Sequence, residues 1–226
     1  MKTRSQLFTL CFALTLLFSL VAPLLSQAQE IPEEYQAVLT ALGKKGDYKA
    51  NVFKLGIPRS DLKVTIDGVA APTPFGFGGW RAMTKGKKGQ EGMMGDLVLL
   101  EDEVNPVMSA LLENGLEITA LHNHFFWETP RIFYMHVHGM GTASELAQKV
   151  KPALALIGHL ARQSAEKQSQ TVNASAPEGV QAGALDTAAL NKVIGYTGEA
   201  LAGGVYKFTI GRDDLKLKEM GAVIGV

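Results

Sequence analysis

The chain has 226 residues, enough for one large domain or two small ones with a buried core. Its 22 Lys and Arg balance its 22 Asp and Glu, so no basic surface indicates a nucleic-acid or anionic-membrane partner. The single cysteine, Cys11, lies in the N-terminal segment, which excludes disulfides and thiolate metal ligands from the rest of the chain.

Residues 1–28 have the pattern of a secretory signal peptide. Lys2 and Arg4 precede an apolar run, Leu7–Leu25, and Ser26-Gln27-Ala28 supplies small residues for a cleavage site. We expect cleavage after Ala28, which predicts a periplasmic or secreted protein with no membrane span. The alternative is an uncleaved membrane anchor, because the apolar run is almost long enough to span a bilayer.

The first part of the mature chain predicts a helix and two strands. Apolar residues at helical spacing indicate a helix over Pro32–Leu42. Alternating apolar residues indicate strands over Asn51–Ile57 and Leu62–Ile66. The segment Pro72–Gly95 is rich in Gly and Pro and is interpreted as a loop packed by its aromatic side chains, with Lys85–Gly89 as a solvated hairpin tip.

A strand, a helix and two further strands are predicted next. Asp96–Leu100 is a short apolar run typical of a buried strand, and Glu101–Asn114 has one apolar helical face. The acidic residues that begin this helix suit its dipole and need no catalytic role. The strands are Ile118–His122 and Ile132–His138, and Gly139 is expected to end the second one.

Four of the five histidines lie on these two strands or just past the end of the first, as two His-x-His pairs: His122 with His124, and His136 with His138. Residues two apart in a strand point to one face. If His122 lies opposite His138 and His124 opposite His136, all four imidazoles meet on that face. Four convergent imidazoles suit a divalent transition metal, zinc first among them.

The neighbouring polar residues suggest roles beside the metal. Glu128 is a candidate ligand or general base for a metal-dependent hydrolase, in which the metal activates water. Arg131 and Asn123 are candidate donors to a small-molecule or cell-envelope ligand. Two metal-free alternatives stay open: a periplasmic ligand-binding module with protonatable histidines, and a structural envelope module.

Beyond the histidines the sequence predicts two helices and a linker. Thr142 and Glu145 form a capping box for a helix that Pro152 should kink or split. His159, the fifth histidine, lies alone near the end of this helix. Residues 161–184 have linker composition, and a helical pattern returns over Asp186–Ile194.

The chain contains an internal repeat. Residues 205–216, VYKFTIGRDDLK, echo residues 52–63, VFKLGIPRSDLK, at an offset of 153, and Gly221 matches Gly68 at the same offset. A repeat of this length implies duplication of a whole unit. The later strands either complete the sheet of the first unit or begin a second, truncated unit.

Several blocks of this sequence resemble the LppY/LpqO family. They are PRSDLKV (58–64), GDLVL (95–99), EVNPV (103–107), TALHNH (119–124) and PRIFYMHVHG (130–139). The resemblance implies an exported bacterial protein built on a domain of unknown function that often occurs in two tandem copies. It implies no activity.

Together these patterns predict an α+β protein whose mixed or antiparallel sheet has helices packed on one face. After the signal peptide, the first unit spans residues 29–160 and carries the histidines. A linker over residues 161–184 leads to the start of a second unit at residues 185–226.

Overall fold

The computed structural model describes residues 29–158, 185–212, 214–219 and 222–224. The predicted signal peptide, His159 and the linker over residues 161–184 lie outside the described residues. Among the described residues, no helix is both long enough and apolar enough to cross a membrane.

A six-stranded antiparallel sheet forms the centre of the fold. Its strands lie in the order β1-β2-β5-β6-β9-β7, and every neighbouring pair is antiparallel. Their bounds are β1 Gly46–Lys49, β2 Val52–Pro58, β5 Gly78–Lys85, β6 Glu91–Leu100, β7 Glu117–His122 and β9 Ile132–Gly141.

Three helices pack on one face of this sheet: α1 Glu33–Leu42, α2 Glu101–Glu113 and α3 Ala143–Leu156. Their apolar stripes meet alternate strand residues such as Phe53, Leu97 and Met135, all fully buried in one core. The period of 3.6 in the helices and of 2 in the strands therefore produces one shared hydrophobic layer. This arrangement confirms the α+β prediction.

A small sheet covers part of the opposite face. Its strands are β3 Val64–Ile66, β4 Val69–Ala71 and β8 Glu128–Thr129, in the order β4-β3-β8. Beneath it lies a second core of five buried residues: Val64, Phe77, Val98, Ile132 and Tyr134. None of the three helices lies on this face, so side chains farther along β9 and β6 reach solvent.

The loop prediction for Pro72–Gly95 is wrong, because most of this segment forms β5 and the start of β6. Glycine is required here by close backbone approach. A Cβ on Gly79 would lie 2.8 Å from the carbonyl oxygen of Asp96, and one on Gly95 would lie 2.4 Å from that of Trp80. The glycines that indicated a loop therefore serve tight strand packing. The hairpin tip within Lys85–Gly89 is confirmed.

Two predicted interruptions are also absent. Strand β9 continues past Gly139 to Gly141, because Gly139 pairs with Met93 and packs closely against Leu116. Pro152 does not split helix α3, which continues through it to Leu156 with the next residue, Ala153, buried in the core. A kink at Pro152 stays a prediction.

A buried ion pair joins three elements of the first unit. Arg59, at the end of β2, donates to Glu103 in the first turn of α2 at 2.7 Å, and both side chains are almost fully buried. Glu103 also accepts hydrogen bonds from the backbone N–H groups of Leu100 and Gly158. The PRSDLKV block therefore includes a structural arginine.

The C-terminal residues repeat the order of the first elements. Helix α4 Thr187–Ile194 is followed by β10 Glu199–Leu201, β11 Val205–Lys207, β12 Leu217–Glu219 and β13 Ala222–Ile224. In the β12–β13 pair Leu217 lies opposite Ile224, just as Val64 lies opposite Ala71, each 153 positions earlier. These strands form two separate two-stranded sheets and do not join the central sheet. The division into two units stays a prediction.

Candidate functional site

The two His-bearing strands are adjacent, but the register predicted for a four-histidine site is wrong. His122 lies opposite Tyr134, His136 opposite Ala120 and His138 opposite Glu117. A bulge between Ile118 and Ala120 shifts the pairing and reverses which residues of β7 face outward. Sequence symmetry alone could not reveal this bulge.

His122 and His136 nevertheless meet. Their Nε2 atoms are 3.0 Å apart, and their ring planes are nearly perpendicular at 71°. Ala120, opposite His136, is small enough to let the two rings approach. The 3.0 Å separation is compatible with a hydrogen bond. It also fits two nitrogens about 2 Å from one ion, which lie roughly 2.9 Å apart at a right angle and roughly 3.3 Å apart at the tetrahedral angle.

Asp96 adds a carboxylate to this pair. It lies on β6 directly opposite His136, and its Oδ1 is 3.8 Å from His136 Nε2. Among the described residues, this buried oxygen has no hydrogen-bond partner. Burial raises the pKa of Asp96, and the nearby His136 opposes that rise. Sequence reasoning assigned Asp96 only to a buried strand. The available signal was a single carboxylate beginning an otherwise apolar run.

His124 lies beside the pair, just after the end of β7. Its ring stacks on Tyr134 with centroids 3.4 Å apart, and its centroid is 5.0 Å from that of His122. Burial lowers the pKa of His124, and the neighbouring His122 lowers it further, so its imidazole is neutral at neutral pH. A neutral imidazole is the form that binds a metal.

His138 is separated from His122 by the observed register. His122 lies opposite Tyr134, and His138 is four residues farther along β9. About 13 Å of strand therefore separates His138 from the position opposite His122. His138 Nδ1 is 3.3 Å from Glu117 Oε2. The structure therefore brings together His122, His136 and the adjacent His124, and places His138 in a separate contact with Glu117.

Glu128, Arg131 and Asn123 brace the loop between β7 and β9. Arg131 donates to Asn123 Oδ1 and to the carbonyl of Phe126, both at 3.2 Å. Asn123 donates to the carbonyl of Ile132 at 2.6 Å, and the buried Glu128 accepts from the Ile132 N–H at 3.4 Å. The polar groups predicted to bind a ligand are therefore mostly used inside the loop.

Two buried polar atoms beside this loop have no hydrogen-bond partner among the described residues: Glu128 Oε2 and the Tyr134 hydroxyl. Burial raises the pKa of Tyr134, and Glu128 raises it further, so this hydroxyl stays protonated. Such atoms normally pair with an ordered water or a ligand.

Across the described parts of the chain, no group of three or more His, Cys, Asp or Glu side chains already surrounds a common point as metal ligands do. The closest approach to such a group is the His122–His136 pair with Asp96 beside it. The predicted zinc site therefore stays a prediction, with a ligand set that differs from the four histidines.

Comparison with known proteins identifies a family but no function. Residues 36–156, just over half of the chain, match the model of a family described as a domain of unknown function (DUF1259). No curated protein matches the chain, and no solved structure matches it. The LppY/LpqO resemblance is finer than this match and stays a prediction.

Proposed function

The chain belongs to the DUF1259 family, a domain of unknown function, and from this premise we propose that it binds a divalent transition metal through His122, His136 and Asp96. The proposal depends chiefly on the 3.0 Å approach of the two Nε2 atoms on a solvent-facing part of the sheet. The buried Asp96 oxygen beside them, which has no hydrogen-bond partner among the described residues, supplies the third donor. Two imidazoles and one carboxylate form a ligand set that zinc, iron and related metals accept.

Only a small adjustment separates the observed side chains from a ligand set. Asp96 Oδ1 lies 3.8 Å from His136 Nε2, whereas two donors on one ion are separated by about 3 Å. A side-chain rotation that moves Oδ1 by roughly 1 Å brings it to that distance from His136 Nε2. The ion would also relieve the unfavourable burial of the carboxylate, because a positive charge favours its ionised form.

Three protein ligands leave an open position on the metal. Zinc in such a site binds water and lowers its pKa to about 7, which supports the finer proposal of a metal-dependent hydrolase. His124 is the nearest further donor and would either complete the ligand set or orient the open position. Glu128 is held within the loop, so the structure gives less support to its role as a general base. The signal-peptide pattern of residues 1–28 supports the proposal that the protein acts outside the cytoplasm.

The test is metal binding to the purified full chain. The protein is stripped with a chelator, reconstituted separately with zinc, copper, nickel and iron, and measured by elemental analysis and calorimetry. We expect one ion per chain, with affinity lowered about 100-fold or more in His122→Ala and His136→Ala. His138→Ala is the matched control, because it removes an imidazole from the same strand without touching the pair. We expect it to bind metal as the wild type does.

Two results would overturn the proposal. One is a wild-type chain that retains none of the four metals. The other is an Asp96→Asn variant whose metal affinity is unchanged, since the amide is a much weaker ligand than the carboxylate. A His138→Ala variant that loses metal would instead restore the four-histidine prediction and would exclude the observed register in solution.

A metal-free ligand site is the second candidate. The partnerless Glu128 Oε2 and Tyr134 hydroxyl support it, because both atoms would be satisfied by a polar group of a bound molecule. A thermal-shift screen of small polar and cell-envelope compounds on the chelator-treated protein tests it. Glu128→Gln or Tyr134→Phe should abolish any stabilisation found, while Asp96→Asn should leave it unchanged.

A further inference from the structure

We propose that the protein binds a small molecule with two anionic groups, one at the metal and one at Lys54. Lys54 lies over the Trp80 ring on the sheet surface next to the metal-binding residues. This proposal deepens the proposed function and names its ligand class: a small molecule with two anionic groups, such as a dicarboxylate. The metal binds one group, and the Lys54 ammonium binds the other.

Strand register places these residues in one row across the open face. Asp96 lies directly opposite His136 on one side and directly opposite Trp80 on the other. Trp80 in turn lies opposite Gly56 on β2. Because neighbouring strands are about 4.8 Å apart, the indole begins one strand spacing from the proposed metal ligand Asp96.

Lys54 reaches into this row from β2. Its Nζ lies 4.8 Å from the centre of the Trp80 ring, which fixes the ammonium over β5 by a cation–π contact. No acidic residue pairs with Lys54 within the described residues. Space for a ligand lies beside it, since a Cβ built on Gly56 meets no atom within 4 Å. The result is a positioned cation with an open side.

A second cation lies behind this surface. Arg81, next to Trp80 on β5, is fully buried on the helix side of the sheet. Its Nη1 donates to the carbonyl of Trp80 at 2.9 Å, whereas Nε and Nη2 have no partner in the described part of the chain. A guanidinium buried without a salt bridge acts through a low dielectric, so its field is weakly screened at the nearby sheet surface.

The charges decide the ligand class. Lys54 and Arg81 place two positive charges around Trp80. Two carboxylates lie beside them: Asp96, opposite Trp80, and Asp47, opposite Lys54 on β1. A bound divalent ion therefore supplies the excess of positive charge on this surface. The ammonium lies over β5 and the metal ligands lie on β6, β9 and β7, so the two positive centres are roughly 5–10 Å apart. A molecule with carboxylates or phosphates at its two ends spans that distance, and a monoanion of similar size does not use both centres.

The test compares succinate with butyrate, which have the same number of carbons but two carboxylates and one carboxylate respectively. Calorimetric titration of the zinc-loaded wild type should give an affinity for succinate about 10-fold or more above that for butyrate. Lys54→Met should bring the two affinities together. The control is Lys192→Met, which removes an exposed lysine from α4 and should keep the wild-type preference.

Separate readouts distinguish failure of this proposal from failure of the metal proposal. Zinc content of Lys54→Met should equal that of the wild type, because Lys54 is not a ligand. Zinc binding without any preference for succinate overturns the second-anion site alone, as does a preference that survives Lys54→Met. A wild type that binds no zinc overturns the metal proposal. The anion proposal then falls too if the zinc-free protein lacks Lys54-dependent succinate binding.

Discussion

Replacing Arg81 with methionine should make the protein more stable. Burial lowers the pKa of this fully buried guanidinium to about 9, which still leaves it a cation at neutral pH. The ordinary pKa is 12.5. At about 1.4 kcal/mol for each pKa unit, the depression corresponds to a penalty of about 5 kcal/mol for burying the charge. The charge of Asp96 offsets only part of the cost of burial, and no carboxylate among the described residues forms a salt bridge with Arg81.

Part of the gain is lost with the side chain. The hydrogen bond from Nη1 to the Trp80 carbonyl disappears, which costs about 1.5–3 kcal/mol for a charged donor. Methionine retains much of the apolar stem and adapts to irregular space. The expected net effect of Arg81→Met is therefore a rise of about 2–3.5 kcal/mol in the free energy of unfolding.

Urea unfolding at pH 7, followed by circular dichroism, measures this difference. Arg212→Met is the matched control, because Arg212 is exposed and its salt bridge with Asp214 is a surface pair. We expect this control to change stability by no more than about 0.5 kcal/mol. A loss of more than about 1 kcal/mol in Arg81→Met would refute the reasoning, since it would mean that the guanidinium is well paired in solution. The stable variant should also bind succinate more weakly, which would show that Arg81 is kept for binding.

Three further outcomes follow from the described contacts. Glu103→Gln should lower the unfolding free energy by about 3 kcal/mol, because it breaks the buried pair with Arg59. Asp214→Asn, in the exposed pair with Arg212, should change it by about 0.5 kcal/mol or less. Urea titration compares the two variants. Burial lowers the pKa of folded His124, so the unfolded chain takes up a proton more readily and stability falls as the pH drops below about 6.5. His124→Gln should flatten that loss, and an unchanged pH profile of the melting temperature would contradict it. Thr142→Ala removes the side-chain cap that accepts from the Glu145 N–H and should cost about 1 kcal/mol in thermal unfolding.

Local patterns predicted the helices well. The first two helices begin and end within one residue of the predicted positions, and the third begins directly after its predicted cap, Thr142. The repeat also indicated that the C-terminal helix and strands follow the order of the first ones. Such features depend on residues close in the chain, because a helix is stabilised by contacts between residues three or four positions apart.

Glycine-rich strands were misread for a physical reason. Gly79 and Gly95 permit turns in isolation, and only the neighbouring strand shows that they make room for a backbone carbonyl and for Arg81. The conformational freedom of a glycine is a local property. The close contact that leaves no room for a side chain is made by a distant part of the chain.

The sequence by itself determined the α+β class, the α-helical segments and two extended segments that bring four histidines close in the chain. Only the tertiary structure decided which of those histidines meet. A bulge before Ala120 sets the register of β7 on β9, and strand β6 brings Asp96 beside His136 from a distant position in the chain. Both facts depend on how separate strands pair. The pairing is fixed by the core that these strands share, and no single segment of the sequence specifies that core.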